Sequence, residues 1–105
     1  MRIINWNVKW AKPDENRGEL IKKLISELEP EVVCITEGNK EIFTEGYSIF
    51  SDADYGYESS AYRRKVILWS KNSWKEIDSL GDEGLPGGRF ISGTTMTSIG
   101  EVKFI

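Results

Sequence analysis

The sequence predicts an α/β fold that opens with a strand–helix–strand unit, and three segments carry that expectation. Residues 2–8 are rich in β-branched and aromatic side chains, the composition of a strand. Leu20, Ile21, Leu24, Ile25 and Leu28 recur at helical spacing, opposite Lys22, Lys23, Ser26 and Glu27, and so describe an amphipathic helix laid on a sheet. Val32 to Thr36 is a short, largely apolar run directly behind that helix, as expected for an inner strand covered on both faces. Strand, helix and strand in this order form a βαβ unit with parallel strands and a right-handed crossover.

The remaining elements follow from local signals. Ala11 to Asn16 contains Pro13 and polar residues and reads as a loop. Asn16 with Glu19 three positions on has the form of a helix N-cap and a side chain that reaches back to it. Pro30 disfavours helical backbone at Glu29 and ends the helix. Gly38 and Asn39 mark a loop after the inner strand, and Tyr47 to Phe50 reads as a third strand. Asp52 to Ser60 is polar and reads as a surface loop. Val66–Trp69 and Trp74–Ile77 read as two strands joined by a turn at Lys71-Asn72-Ser73. Gly81 to Gly88 holds four glycines and Pro86 and is expected to be irregular. Phe90–Met96 and Glu101–Ile105 suggest a hairpin about Ser98-Ile99-Gly100. Val102, Phe104 and Ile105 are strand-like up to the last residue, the pattern expected of a chain cut within a strand or of a terminal strand tied into a sheet.

Composition narrows the class of protein. A chain of 105 residues is near the usual size of one domain, and its 39% hydrophobic and 30% charged content argues against disordered, collagenous and membrane classes. No apolar run approaches the roughly 20 residues of a spanning helix, and the apolar start is too short for a signal peptide, so a cytoplasmic location is expected. Cys34 is the only cysteine, which excludes an internal disulfide and a thiolate cluster; it is expected to be buried and inert. A net charge of −3 offers no general attraction to a polyanion, although Arg63-Arg64-Lys65 is a local cluster able to meet a phosphate.

Two residues stand out as carriers of chemistry. Glu37 lies at the carboxyl end of the inner strand, where ligands collect in α/β sheets, and a hard divalent cation commonly takes one or two such carboxylates. Asn7 lies at the end of the first strand, which in a βαβ unit finishes at the same edge. Its amide can orient a cation, a water or a phosphate oxygen, or simply bond local backbone. Asp52 and Asp54 before Gly56 suggest the start of a calcium loop but lack its later ligands. The Gly84 to Arg89 stretch can approach a phosphate but is followed by no P-loop lysine, and serves better as a flexible connection. Trp6, Trp10, Trp69 and Trp74 can stack on bases, although large aromatics more often build the core.

Taken in order, Ile4-Asn5-Trp6-Asn7-Val8, the helix ending in Leu28-Glu29-Pro30-Glu31, and Val33-Cys34-Ile35-Thr36-Glu37 resemble the start of the endonuclease/exonuclease/phosphatase superfamily, the DNase I-like proteins. Lys65-Val66-Ile67-Leu68-Trp69-Ser70 is similar to its third core segment, and Gly88-Arg89-Phe90-Ile91 to the strand before its central hairpin. The resemblance implies part of a four-layer α/β sandwich with a mixed sheet, and hydrolysis of a phosphoester by a water activated by magnesium, or manganese in its place. It implies Glu37 as a metal ligand and Asn7 as a polar residue of the same metal site. The substrate so implied is a phosphoester, nucleic acid included. Thr36 and Gly38 flank the glutamate where DNA-repair members usually carry Gln and Thr, which weighs against an abasic-site nuclease. The family's later Asp-x-Asn segment and closing Asp-His pair have no counterpart in this sequence, which contains no histidine. The chain is accordingly expected to be the amino-terminal part of such an enzyme and inactive alone. The alternative is a non-catalytic binding or assembly module. Self-association through the carboxy-terminal hairpin, as a homodimer or more broadly, is also expected.

Overall fold

The computed structural model describes residues 1–56, 61–81 and 84–105. Along the chain come β1 (Ile3–Asn7), α1 (Asn16–Leu28), β2 (Val32–Asn39), β3 (Tyr47–Phe50), β4 (Arg63–Ser70), β5 (Trp74–Asp78), β6 (Ser92–Thr97) and β7 (Gly100–Phe104). They form a four-stranded sheet in the order β1-β2-β4-β3 and a three-stranded sheet in the order β5-β6-β7. β1 and β2 are parallel, with Ile3 beside Val32 and Asn7 beside Thr36, so the βαβ start is as expected. β4 runs antiparallel to both β2 and β3, which makes the first sheet mixed.

Strand alternation assigns each residue of the first sheet to one of two cores. On one face, Val33 and Ile35 of β2 and Ile67 of β4 meet Ile21 and Ile25 of α1, together with Val8, Ala11 and Ile42 from the loops. On the other face, Ile49 and Leu68 pack with Ile91, and Cys34, Val66, Trp74 and Phe104 close around them. The first sheet is thus sandwiched between a helix and a second sheet. These are three layers among the described residues, and the mixed sheet with its βαβ start is as expected. Cys34 lies in the second of these cores, and burial raises its thiol above the ordinary range, which keeps it protonated and inert at neutral pH.

The helix departs from the reading at two points. Its N-cap is Glu15 rather than Asn16, and no side-chain bond caps it. Glu15 turns its carboxylate back to the Lys12 amide at 2.9 Å, while Glu19 pairs with Lys22 at 2.8 Å instead of reaching towards the cap. The buried face is Gly18, Ile21 and Ile25, whereas Leu20, Leu24 and Leu28 remain 55%, 37% and 43% exposed. The cause is the helix's position near the sheet margin. Leu20 borders a hollow with Trp6 and Val8 around β1, which is an edge strand among the described residues. The helix ends as expected, with Glu29 in the left-handed region before Pro30 and Arg2 donating to the Leu28 carbonyl.

Strand boundaries also shift. β2 runs on through Gly38 and Asn39, which pair with Arg64 and Arg63, so that the expected loop there is strand and β4 begins three residues early. Phe90 and Ile91 precede β6 rather than belonging to it, with Ile91 in the core between the sheets. The final hairpin turns at Ser98-Ile99 as expected, with Gly100 at φ 108°. Of the loop expected at Asp52 to Ser60, residues 52–56 form no strand or helix, and residues 57–60 lie outside the described residues. In the glycine-rich stretch, residues 82–83 lie outside them too.

Polar bonds tie the second sheet to the first. Ser70 and Thr95 share a buried hydroxyl contact at 2.7 Å, and the Trp74 indole donates to the Tyr47 carbonyl at 3.0 Å. Glu31 accepts from the Ser98 amide at 2.9 Å and the Ser98 hydroxyl at 2.8 Å, clasping the hairpin tip. The Ser98 hydroxyl, more than any other neighbour, holds this carboxylate below its ordinary range. A lowered folded pKa stabilises the fold above the unfolded value of 4.5, and that contribution disappears as pH falls through the folded value. Glu31→Gln should therefore flatten the fall of stability between about pH 5 and pH 2. Urea midpoints measured across that range test this; curves of unchanged slope would remove Glu31 from the acid response.

Candidate functional site

The carboxyl ends of the parallel pair β1 and β2 bring Asn7 and Glu37 together. The Asn7 amide donates to Glu37 Oε1 at 2.9 Å. Its own oxygen accepts from the Lys9 amide at 3.0 Å, so one backbone N–H fixes which end of the Asn7 side chain faces the carboxylate. Both residues flagged from sequence therefore stand at one site, and they touch.

The backbone here is bent out of its ordinary conformations. Glu37 has φ 50°, although Thr36 and Gly38 on either side keep register with Val66 and Arg64. Lys9 and Trp10 have φ 47° and 64°, and Ala11 donates to the Val8 carbonyl at 3.1 Å, the positive-φ pattern of a type I′ turn built without glycine or asparagine. The turn is anchored because Val8 and Ala11 are buried in the larger core. It lashes the two strand ends together, Val8 donating to the Thr36 carbonyl at 3.2 Å and Trp10 to the Glu37 carbonyl at 2.6 Å. Left-handed backbone at an ordinary residue costs about 1–2 kcal/mol, and such residues cluster where geometry serves function.

The donor set suits a hard cation that keeps most of its own shell. Glu37 is half-buried, one oxygen is held by Asn7, and Oε2 has no hydrogen-bond partner among the described residues. No group of three or more His, Cys, Asp or Glu capable of holding a metal occurs among the described residues. One carboxylate matches magnesium, which retains several waters and substrate oxygens, better than an all-protein cage. Asp54 spends an oxygen on the Gly56 amide at 3.2 Å, an ordinary turn contact.

Beside Glu37 lies a group that sequence spacing could not assemble. Trp10 stacks on Tyr55 with ring centroids 5.8 Å apart. Lys65 stands 5.3 Å from the centres of both rings, and Arg63 stands 5.3 Å from Trp10. In the β2–β4 register Thr36 pairs with Val66 and Gly38 with Arg64, so Glu37 and Lys65 lie between the same two rungs of the ladder. The basic cluster was visible in the sequence; its pairing with Tyr55 and with the distant Trp10 was not. The other tryptophans are scaffold, Trp6 and Trp69 on the helix side and Trp74 between the sheets. Arg89 donates to the Tyr55 carbonyl at 3.4 Å, so the glycine-rich stretch packs back on this region.

No helix among the described residues is long and apolar enough to cross a membrane. No protein-family model matches the sequence, and no curated protein matches it significantly. Among solved structures, the chain is similar to an endonuclease/exonuclease/phosphatase from Beutenbergia cavernae, with a TM-score of 0.64 at 14% identity. That similarity covers 97% of this chain and 36% of the other, so the chain spans about a third of the structure it matches. The mixed sheet, the βαβ start and the second sheet behind it together give this chain the fold of an endonuclease/exonuclease/phosphatase protein, over the share of that fold it spans.

Proposed function

We propose that the chain is part of a metal-dependent phosphoester hydrolase in which Glu37 is a ligand to magnesium, or to manganese in its place. The observation that carries this reading is the Asn7–Glu37 hydrogen bond across the two parallel strand ends, made in backbone held at positive φ. A bound cation of this kind polarises a phosphoryl oxygen and makes a coordinated water more acidic. Glu37 keeps Oε2 available for it, while Asn7 holds Oε1 and sets the carboxylate's direction. Because the Asn7 oxygen is already engaged by the Lys9 amide, Asn7 acts through Glu37. Hydrolysis then joins the water oxygen to phosphorus as the ester oxygen leaves with a proton.

Manganese binding, followed by the loss of the free-ion resonance signal, tests the metal role together with cleavage of a small phosphodiester. Glu37→Gln should abolish binding, and Asn7→Ala should weaken it about ten- to a hundredfold. Equal manganese affinity in wild type and Glu37→Gln would overturn the proposal. The absence of histidine favours a second reading, a phosphate-binding module without turnover. Cation and phosphate binding without cleavage would select it.

Self-association belongs to the same proposal. β7 is an edge strand, and Met96, Ile99 and Ile105 around the hairpin are exposed apolar residues. Sedimentation over a concentration series should show a growing dimer or larger species. A monomer throughout would show that this edge does not recruit another copy.

A further inference from the structure

A cavity of about 500 Å³ opens between the turn that carries Trp10 and the far ends of β2 and β4, at Asn39 and Arg63. Trp10 and Tyr62 contribute aromatic rings to its lining, Lys12 and Arg63 cations, and Asp14 and Glu41 carboxylates. Its size lies within the usual range for a small-molecule or nucleotide site. Asn39 also lines it, two residues beyond Glu37 on the same strand and hence roughly 7 Å away along it. Trp10 is joined to Glu37 directly, through the 2.6 Å bond from its amide to the Glu37 carbonyl.

The mixture of groups is informative. A cavity that received only phosphate would gain nothing from Asp14 and Glu41, whose charge repels it. Carboxylates do accept hydrogen bonds from the amino groups of bases and from sugar hydroxyls. Aromatic rings stack on bases whatever their identity, and arginine beside an aromatic ring adds both charge and a planar stacking surface. Tyr62 is exposed, with Lys40 5.8 Å from its ring centre, and Arg63 is exposed beside Trp10. The strained turn at Lys9-Trp10 explains how an indole comes to stand here, because relaxed backbone would carry Trp10 elsewhere. The cationic footprint is short and the chain is negative overall, which suits a few nucleotides of single strand and not an extended duplex or an anionic membrane.

We propose that this cavity is a nucleotide subsite, seating the base and sugar next to the attacked phosphoester while Arg63 and Lys65 hold a neighbouring backbone phosphate. This rests on the phosphoester reading of Glu37 and narrows its substrate to single-stranded nucleic acid.

The test is anisotropy of a labelled single-stranded pentanucleotide with the 105-residue chain in excess chelator, where metal plays no part. An abasic pentamer of equal charge is measured beside it, as are inorganic phosphate and phosphoinositide vesicles. The intact pentamer should bind at least tenfold more tightly than the abasic one. Tyr62→Ala should lower affinity about tenfold, and Arg63→Gln should reduce the salt dependence by about 0.7 in log–log slope. Both side chains are exposed, and circular dichroism confirms that each variant is folded. Equal binding of intact and abasic strands, indifference to both substitutions, or binding of vesicles or phosphate alone would overturn the subsite. If the subsite falls while Glu37→Gln still loses manganese, the phosphoester reading stands without it. If manganese binding is unaffected while the base-dependent binding holds, the cavity stands and the hydrolase reading falls.

Discussion

Gly18→Ala is expected to destabilise the chain by roughly 2–3 kcal/mol, although glycine to alanine within a helix ordinarily stabilises by about 1 kcal/mol. A Cβ at this position would stand 1.8 Å from the Lys12 carbonyl oxygen, 2.7 Å from its carbon and 3.1 Å from Pro13 Cα. All are backbone atoms and cannot swing aside as a side chain would. Nor is the loop free to lift as a whole. Ala11 is fully buried at one end, and at the other Glu15 and Lys12 bond one another, amide to carboxylate and amide to carbonyl. Relief of the clash must therefore move either the helix off Ile35 and Ile67 or the turn that carries Trp10. Urea denaturation followed by circular dichroism measures the effect. A midpoint equal to or above wild type would show that the loop yields readily and that close packing at Gly18 is incidental.

Glu37→Gly should separate stability from function. The left-handed conformation at φ 50° costs an ordinary residue about 1–2 kcal/mol, and glycine removes that cost while adding about 0.5–1 kcal/mol of chain entropy to be lost on folding. The variant should consequently be as stable as wild type or up to ~1 kcal/mol more stable. It should also lose manganese binding altogether, since no second carboxylate shares the site among the described residues. Such an opposition is the signature of a residue kept for its chemistry against the preference of its backbone. A clearly destabilised glycine variant would show that the Asn7–Glu37 bond chiefly holds the strand ends together, and the argument from strain would fail.

What the sequence made legible was set by local periodicity. Val33 and Ile35 face one way and Cys34 the other because a strand has period two, and Pro30 stops the helix through a steric rule that needs no tertiary context. Leu20, Leu24 and Leu28 show where such reasoning ends. Their spacing marks an apolar face, but only the position of α1 over the sheet decides which part of that face is covered. The same limit applies at Asn16. Its pairing with Glu19 has the right chemistry for a cap, yet Glu15 takes the position because its carboxylate has the Lys12 amide within reach. Gly38-Asn39 looked like a loop by composition and became strand because Arg64 and Arg63 supply ladder partners. At the site, Asn7 and Glu37 were legible because two parallel strands joined by a crossover must finish at one edge. The Trp10–Tyr55 stack was not, since the 44 intervening positions carry no pattern that predicts contact.

The two cores on opposite faces of the first sheet imply two levels of cooperativity. Among the described residues the helix-side core gathers eight buried side chains and the inter-sheet core three, so the second sheet is the more weakly held layer. Transient detachment of β5, β6 and β7 would expose Cys34 and Val66 to solvent while leaving Val8, Ala11 and Ile35 packed beneath the strand ends. The Asn7–Glu37 pair sits beside the helix-side core, so such an opening would leave the packing under it in place.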